Sequence, residues 1–258
     1  MRQSLLLAFL LLTGFSAFSQ DSLTNIKQSS SNGLSVKRNI VKWNLSSLVF
    51  KNYHFTYERG LTKHISASIS YRYMPKGTVP FESQLTNVIN SNDINFSKFQ
   101  MGNNALTPQL NFYLGKGNLK GFYIAPFGRF ATFDVSAPVT YTTVVSGQNV
   151  KTTADFSGSI KSSSGGLLMG IQANLSKSIV LDFWLIGAHY GTSKGDLVFV
   201  APQPLSAQEQ ASLQQSLNNI SADPFTFTTS VNANGAVIKT DGPWAGVRGL
   251  GLGIGFRF

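Results

Sequence analysis

Residues 248–258 read RGLGLGIGFRF. From Gly249 to Gly255 every second residue is glycine, and Leu250, Leu252, Ile254, Phe256 and Phe258 hold the alternate places. A period of two marks a strand whose two faces meet different surroundings. One face here carries large apolar groups. The other carries no side chain until Arg257. A soluble sheet would turn the apolar set into a core, whereas a sheet in lipid would turn it outward. The rest of the chain decides between the two.

Charged residues make up 12% of the 258, about half of the roughly 25% usual in soluble domains. Phenylalanine occurs 20 times and cysteine not at all, so disulfides contribute nothing to stability. Mean hydropathy is close to zero, which suits apolar residues alternating with small polar ones better than it suits apolar helices. Residues 1–19 are expected to be a cleaved export signal. Arg2 supplies the positive end, Leu5 to Leu12 the apolar run, and Ala17-Phe18-Ser19 a small-x-small cleavage site before Gln20. A helical anchor is the weaker reading, because the run is too short to cross about 30 Å, and no lipobox cysteine follows. Residues 20–38 are polar and Ser/Asn-rich and read as a flexible periplasmic leader. The net charge of +10 comes from scattered Lys and Arg rather than a basic stripe. Nucleic acid is therefore not an expected partner, and an anionic membrane surface is the better use of the charge.

From Asn39 onward the period is two. Eight strands are predicted: 40–48, 53–59, 64–73, 105–114, 121–133, 165–175, 178–190 and 244–258. In the first, Val41, Trp43 and Leu45 oppose Lys42, Asn44 and Ser46. In the third, Ile65, Ala67, Ile69, Tyr71 and Tyr73 oppose Ser66, Ser68, Ser70 and Arg72. Pro126 predicts a local bulge in the fifth, because it has no N–H for the ladder. Residues 135–160 and 225–240 read as hairpins and 206–218 as a short helix. After the first connection, the links alternate long and short. That is the pattern of an up-and-down barrel with short periplasmic turns and long extracellular loops.

No segment beyond the signal is apolar enough to cross as a helix. Only helices and closed barrels satisfy the backbone within lipid, so residues 39–258 are expected to form an all-β, antiparallel, eight-stranded transmembrane barrel. The competing soluble reading is a lipocalin-like barrel or a sandwich with its apolar face inward. It accounts less well for the alternating loop lengths. In the membrane reading Leu250, Leu252, Ile254, Phe256 and Phe258 face lipid. The glycines between them face a lumen only just wide enough for its own side chains, making room for groups such as Trp184, Tyr113, Tyr123 or Arg129.

The series Leu250-x-Leu252-x-Ile254-x-Phe256-x-Phe258 resembles the C-terminal signature of Gram-negative outer-membrane barrels. With KWNLSSLVFKNYHFTYERGLTKHISASISYRY (42–73), TPQLNFYL (107–114) and GFYIAPFGRF (121–130), the chain resembles small OmpA/OmpX/OmpW-like barrels of the Bacteroidota that have no assigned activity. The resemblance implies an integral cell outer-membrane protein. It also implies recognition by the barrel-assembly machinery and a setting of outer-membrane lipid and lipopolysaccharide. A monomer is expected.

Chemistry is thinly signalled. His54, His64 and His189 have no metal-ligand spacing, and no catalytic residue, cofactor or metal is expected. His189, Ser193 and Asp196 form a conceivable rim trio for a lipid A-modifying enzyme, but such residues are common at a polar rim. Lys42, Glu58 and Arg257 all approach the turn end of the lumen and are expected to form one charge cluster, a carboxylate between two cations. Arg72, Arg129, Asp182 and Trp184 are also expected in the lumen. Three functions follow. A structural or surface-interaction role through the long loops comes first, a narrow pore for small solutes second, and lipid A modification third.

Overall fold

Residues 37–78, 98–115, 117–145, 148–221 and 223–258 are described in the structure, a computed structural model. The expected signal, most of the leader and much of the link between the third and fourth strands lie outside these residues. Within them the alternating segments form ten strands: β1 (Asn39–Asn44), β2 (Tyr53–Gly60), β3 (Ile65–Thr78), β4 (Gln100–Tyr113), β5 (Gly121–Val145), β6 (Gln148–Asn174), β7 (Ile179–Val200), β8 (Thr226–Asn232), β9 (Gly235–Arg248) and β10 (Gly251–Arg257). A helix, α1 (Ala207–Asn218), lies between β7 and β8.

Each strand from β1 to β7 pairs antiparallel with the next, and β10 pairs with both β1 and β7. The ring is therefore closed. Asn39 and Phe258 exchange backbone hydrogen bonds of 3.1 and 2.9 Å at the seam. β9 and β10 share one register along β7, from Val200↔Gly235 through Gly187↔Arg248 and Trp184↔Gly251 to Ile179↔Phe256. Together they form the eighth wall strand, and β8 pairs with β9 alone. The fold is an eight-stranded antiparallel up-and-down barrel, with both ends of the ring and the short turns at 61–64, 114–120 and 175–178 at one end.

The faces follow from the alternation. Val41, Trp43, Phe55, Tyr57, Ile69, Tyr71, Leu110, Leu167, Ile254 and Phe256 are exposed on the outside, while Lys42, Asn44, Glu58, Ser66, Asn111, Arg129, Gln172 and Asp182 are buried inside. On β3 the outward series from Ile65 to Pro75 spans ten residue steps, roughly 25 Å at about 3.3 Å per residue and 40° of tilt. That is the height of a hydrocarbon band.

Past this band the strands continue with the pattern reversed. Thr132, Asp134 and Ser136 on β5 and Ser163, Lys161 and Ser157 on β6 turn outward, while Val135, Val139, Tyr141, Ala154 and Phe156 are buried inside. α1 supplies Leu213 and Leu217 to that second core, with Phe199, Leu205, Ile220, Ala236 and Ile238. The hairpin at 135–160 is thus the extension of two wall strands, and the one at 225–240 is β8 with the start of β9.

Three expectations need correction. β1 stops at Asn44 rather than 48. The Asn44 side chain accepts from Ser46 Oγ (2.8 Å) and the Ser47 N–H (2.9 Å), and the chain turns into a 3₁₀ segment at Ser46–Phe50. Side chains of this type compete with the ladder for the local backbone. Pro126 produces no bulge. Leu106↔Phe130 and Phe112↔Ile124 keep one register across it, and the β5–β6 ladder is unbroken. Pro126 faces outward, and Pro108 sits opposite Gly128 in the same sparse part of the β4–β5 ladder, so neither disturbs the phase. The irregularity falls on β7 instead. Met169 pairs with Ile186 but Gly170 with Trp184, leaving Leu185 as the extra residue of a bulge. Gly249 and Leu250 lie directly across from it, between β9 and β10. Leu185, Ile186, Gly249 and Leu250 are all exposed, so the inward phase slips by one residue on both strands. Gly249 leaves the lumen and Arg248 enters it.

Candidate functional site in the barrel lumen

Near the turn end the lumen is filled by one hydrogen-bonded network. Lys42 Nζ lies 2.5 Å from Glu58 Oε2 and 2.7 Å from Asp182 Oδ2. The other oxygen of each carboxylate accepts a phenol: Tyr113 donates to Glu58 Oε1 (2.7 Å) and Tyr123 to Asp182 Oδ1 (2.8 Å). Ser66 also donates to Glu58 Oε1, at 2.5 Å, and is itself held by Asn111 (2.9 Å). All these side chains are buried. A buried charge is tolerable where its remaining positions are satisfied in this way.

The glycine face of β10 explains how β1 and β7 come together here. A Cβ at Gly255 would stand 2.7 Å from Val180 and 3.0 Å from both Ile40 and Lys42, and one at Gly251 would meet Trp184 at 2.9 Å. The vacant wall is occupied by side chains of the adjoining strands, so Lys42 reaches Asp182 across β10. Tyr123 finds its space over Gly170 of β6 instead.

The expected cluster therefore has a different third member. Lys42 and Glu58 meet, but Asp182 takes the place assigned to Arg257, giving one cation between two carboxylates rather than the reverse. Arg257 is half-buried and donates from Nη2 to the Leu119 carbonyl (3.3 Å), which also accepts from Gln172 Nε2 (2.6 Å). Both cap the turn between β4 and β5. Leu252, Ile254, Phe256 and Phe258 lie on the outer side of β10, and Phe256 stacks on Phe258.

Higher in the lumen the charges change sign. Arg72 donates to Asn52 Oδ1 (3.1 Å) and Arg129 to Asn103 Oδ1 (3.5 Å). Arg248 lies between Trp184 and Phe127, its guanidinium 4.4 and 4.9 Å from their ring centres. His54 also packs against Trp184, tilted, with ring centres 5.0 Å apart. These groups bound a cavity of about 480 Å³. Period-two reading leaves Arg248 out of the lumen, because glycines carry no facial signal and the strand itself does not mark the phase slip at Gly249. The adjacent exposed pair Leu185–Ile186, two large apolar residues in succession, was the available cue.

The rim trio is not assembled. Ser193 is inside and donates to the Gly242 carbonyl (3.4 Å), and His189 lies edge-on to Phe127. Asp196, an odd number of residues away from Ser193, is exposed on the other face.

No protein-family model matches the chain, and no curated protein matches it. Among solved structures it is similar to the N-terminal beta-barrel domain of Pseudomonas aeruginosa OprF, with 11% identity over 86% of this chain and 94% of that one and a TM-score of 0.30. At that score the fold rests on the closed strand ring itself.

Proposed function

We propose that this chain is an integral outer-membrane barrel that anchors an ordered head on the far side of the membrane, and that its role is structural or interactive through that head. The observation that carries this reading is the reversal along β5, β6 and β7. The wall is apolar outside for roughly 25 Å and then polar outside with a packed apolar interior joined by α1. The first region suits hydrocarbon and the second water. The export signal expected at residues 1–19 and the terminal aromatic series agree with that location.

The turn-end network argues against the pore alternative. Lys42, Glu58, Asp182, Tyr113 and Tyr123 occupy the lumen with buried, mutually satisfied groups, and eight strands leave little bore beyond their own side chains. The test is fractionation followed by planar-bilayer recording of the purified protein. The expected result is recovery with the outer membrane, heat-modifiable migration, and no steady conductance steps. Recovery in a soluble fraction would end the barrel-in-membrane reading. Regular single-channel steps lost on closing the lumen further would promote the pore.

A further inference from the structure

The two halves of the lumen treat their cations differently: Lys42 and Arg129 are buried, and Arg72 and Arg248 half-buried. Lys42 is neutralised by Glu58 and Asp182. Among the described residues Arg72, Arg129 and Arg248 have no carboxylate partner. Their hydrogen bonds among the described residues go to neutral amide oxygens of Asn52 and Asn103, and the buried Nη1 of Arg248 has no hydrogen-bond partner. The three lie close enough for Arg129 and Arg248 each to feel Arg72, and His54 feels all three. Asp182 is within electrostatic reach of Arg248, but its two oxygens are already engaged by Lys42 and Tyr123. No carboxylate of the described residues lines the cavity. Gathering three like charges, one buried and two half-buried, with no counter-ion among the described residues is costly, and an anion would relieve it.

What would complete it is an oxyanion. Guanidinium presents a planar fork that matches phosphate oxygens two at a time. The Arg248 guanidinium is packed against Trp184 and Phe127, and Arg72 and Arg129 each hydrogen-bond an asparagine, so the three side chains are restrained before any ligand arrives. The volume of about 480 Å³ lies within the usual range for small-ligand sites, about 300–1,000 Å³.

The wall also supplies an entrance. β1 ends at Asn44, its last partner on β10 being Gly253, and β9 above has no strand of β1 beside it. The cavity is bordered there by the 3₁₀ segment and by Val247, Gly249 and Leu250. Trp43 pairs with Phe55 and Tyr53 with Tyr73, so this gap opens beside the aromatic end of the apolar band. Headgroups begin at that height. Val49, Val247 and Leu250 around it are 80%, 73% and 83% exposed, an apolar lip suited to acyl chains.

We propose that the upper lumen is a binding site for a phosphate-type oxyanion, held by Arg72, Arg129 and Arg248 and entered from the side at headgroup level. The phosphate is either free or carried by a lipid, and the apolar lip favours the lipid. The full chain purified in dodecyl maltoside would be titrated with inorganic phosphate against chloride at matched ionic strength. In parallel, nanodiscs containing phosphatidylglycerol or lipid A would be compared by native mass spectrometry with nanodiscs of an uncharged glycolipid. Tight binding of inorganic phosphate assigns a free anion. Retention of phospholipid or lipid A with weak phosphate binding assigns a lipid.

In either arm Arg248→Gln and Arg129→Gln should weaken binding at least about tenfold, the loss of one good charge-assisted contact. The exposed Lys151→Gln should not. Arg129→Lys keeps the charge and loses the fork, and serves if a glutamine variant does not assemble. It should fall between wild type and glutamine. In ligand-free detergent Arg248→Gln should unfold no earlier than wild type, since it removes an unpaired cation. Equal retention of ligand by wild type and the arginine variants, or none in either arm, overturns the proposal.

Discussion

The lower and upper parts of β5 are one strand under two opposite rules. Below Thr132 it turns Phe122, Ile124, Pro126 and Phe130 outward and Tyr123, Phe127 and Arg129 inward. Above, it turns Thr132, Asp134 and Ser136 outward and Val135, Val139 and Tyr141 inward. The period of two never breaks, and the ladder to β6 runs without a shift from Gly121↔Gln172 to Val145↔Gln148. Only the chemical sign of each face changes. A strand does not encode its solvent in its period. It encodes it in which alternate set is apolar, and that set exchanges within two residues. The two regions are consequently stabilised by different means. The band relies on ring closure and the paired network of the lower lumen, and the head on an ordinary apolar core.

The sharpest way to break that distinction is to remove the cation at the centre of the lower lumen. Lys42→Met leaves Glu58 and Asp182 buried with no charge between them. The expected cost is about 3–5 kcal/mol, the usual loss on breaking one partner of a buried pair. It should be read as a lower urea midpoint for the barrel in lipid vesicles. Adding Glu58→Gln and Asp182→Asn to the same protein should restore much of the loss, because interacting groups do not add. A midpoint unchanged by Lys42→Met would mean the network contributes nothing to the ring.

The head should fail by a different route. Leu213 and Leu217 on α1, which lies along β5 and β8, are fully buried in the core they share with residues of β5, β6, β7 and β9. Leu213→Ala is expected to cost about 2–5 kcal/mol through lost burial and a residual cavity. Protease sensitivity at α1 and the β8 hairpin should rise while heat-modifiable migration stays intact. If both change together, band and head are one cooperative unit and the comparison collapses.

The outer faces offer a smaller, paired test. Ile69→Arg places a charge in the middle of the apolar band and should cost about 2–4 kcal/mol in lipid. Ser157→Arg, outward and exposed on the head, should stay within about 0.5 kcal/mol. Comparable costs at the two sites would remove the hydrocarbon boundary placed between them.

The band was legible in the sequence because hydrocarbon demands an unbroken outward series, so Val41, Trp43, Phe55, Ile69 and Leu110 fall on the predicted face. The inversion above it was legible only as the switch on β6 from Leu167 to Ser163 and Lys161, which read as a loop beginning. Pairing partners within the lumen were beyond period-two reasoning. Lys42 and Asp182 meet because β10 offers only glycine between them, a three-strand relation that no single strand shows. Arg248 was hidden for the opposite reason. Its strand slips phase at Gly249, and a glycine looks the same on either face.

The smallest effect expected belongs to the start of α1, and it tests the head by pH. Ser206 is the N-cap residue. Its Oγ accepts from the Glu209 N–H (3.3 Å), and its own N–H donates to Glu209 Oε2 (2.8 Å). This reciprocal pair is a capping box. The hydrogen bonds from the Ser206 hydroxyl and backbone hold the Glu209 carboxyl below its ordinary value of 4.5. A carboxyl whose folded-state value is depressed contributes stability that is present above its unfolded value. That stability is lost as the pH falls through the folded value. Acidification below about pH 4.5 should therefore loosen α1. Ser206→Ala should cost about 1 kcal/mol near neutrality, the usual effect of losing an N-cap. Its protease sensitivity at α1 should also respond less to acid than that of wild type, because the Glu209 carboxylate has lost the Ser206 hydroxyl. The same acid response in wild type and Ser206→Ala would place the titrating group elsewhere in the head.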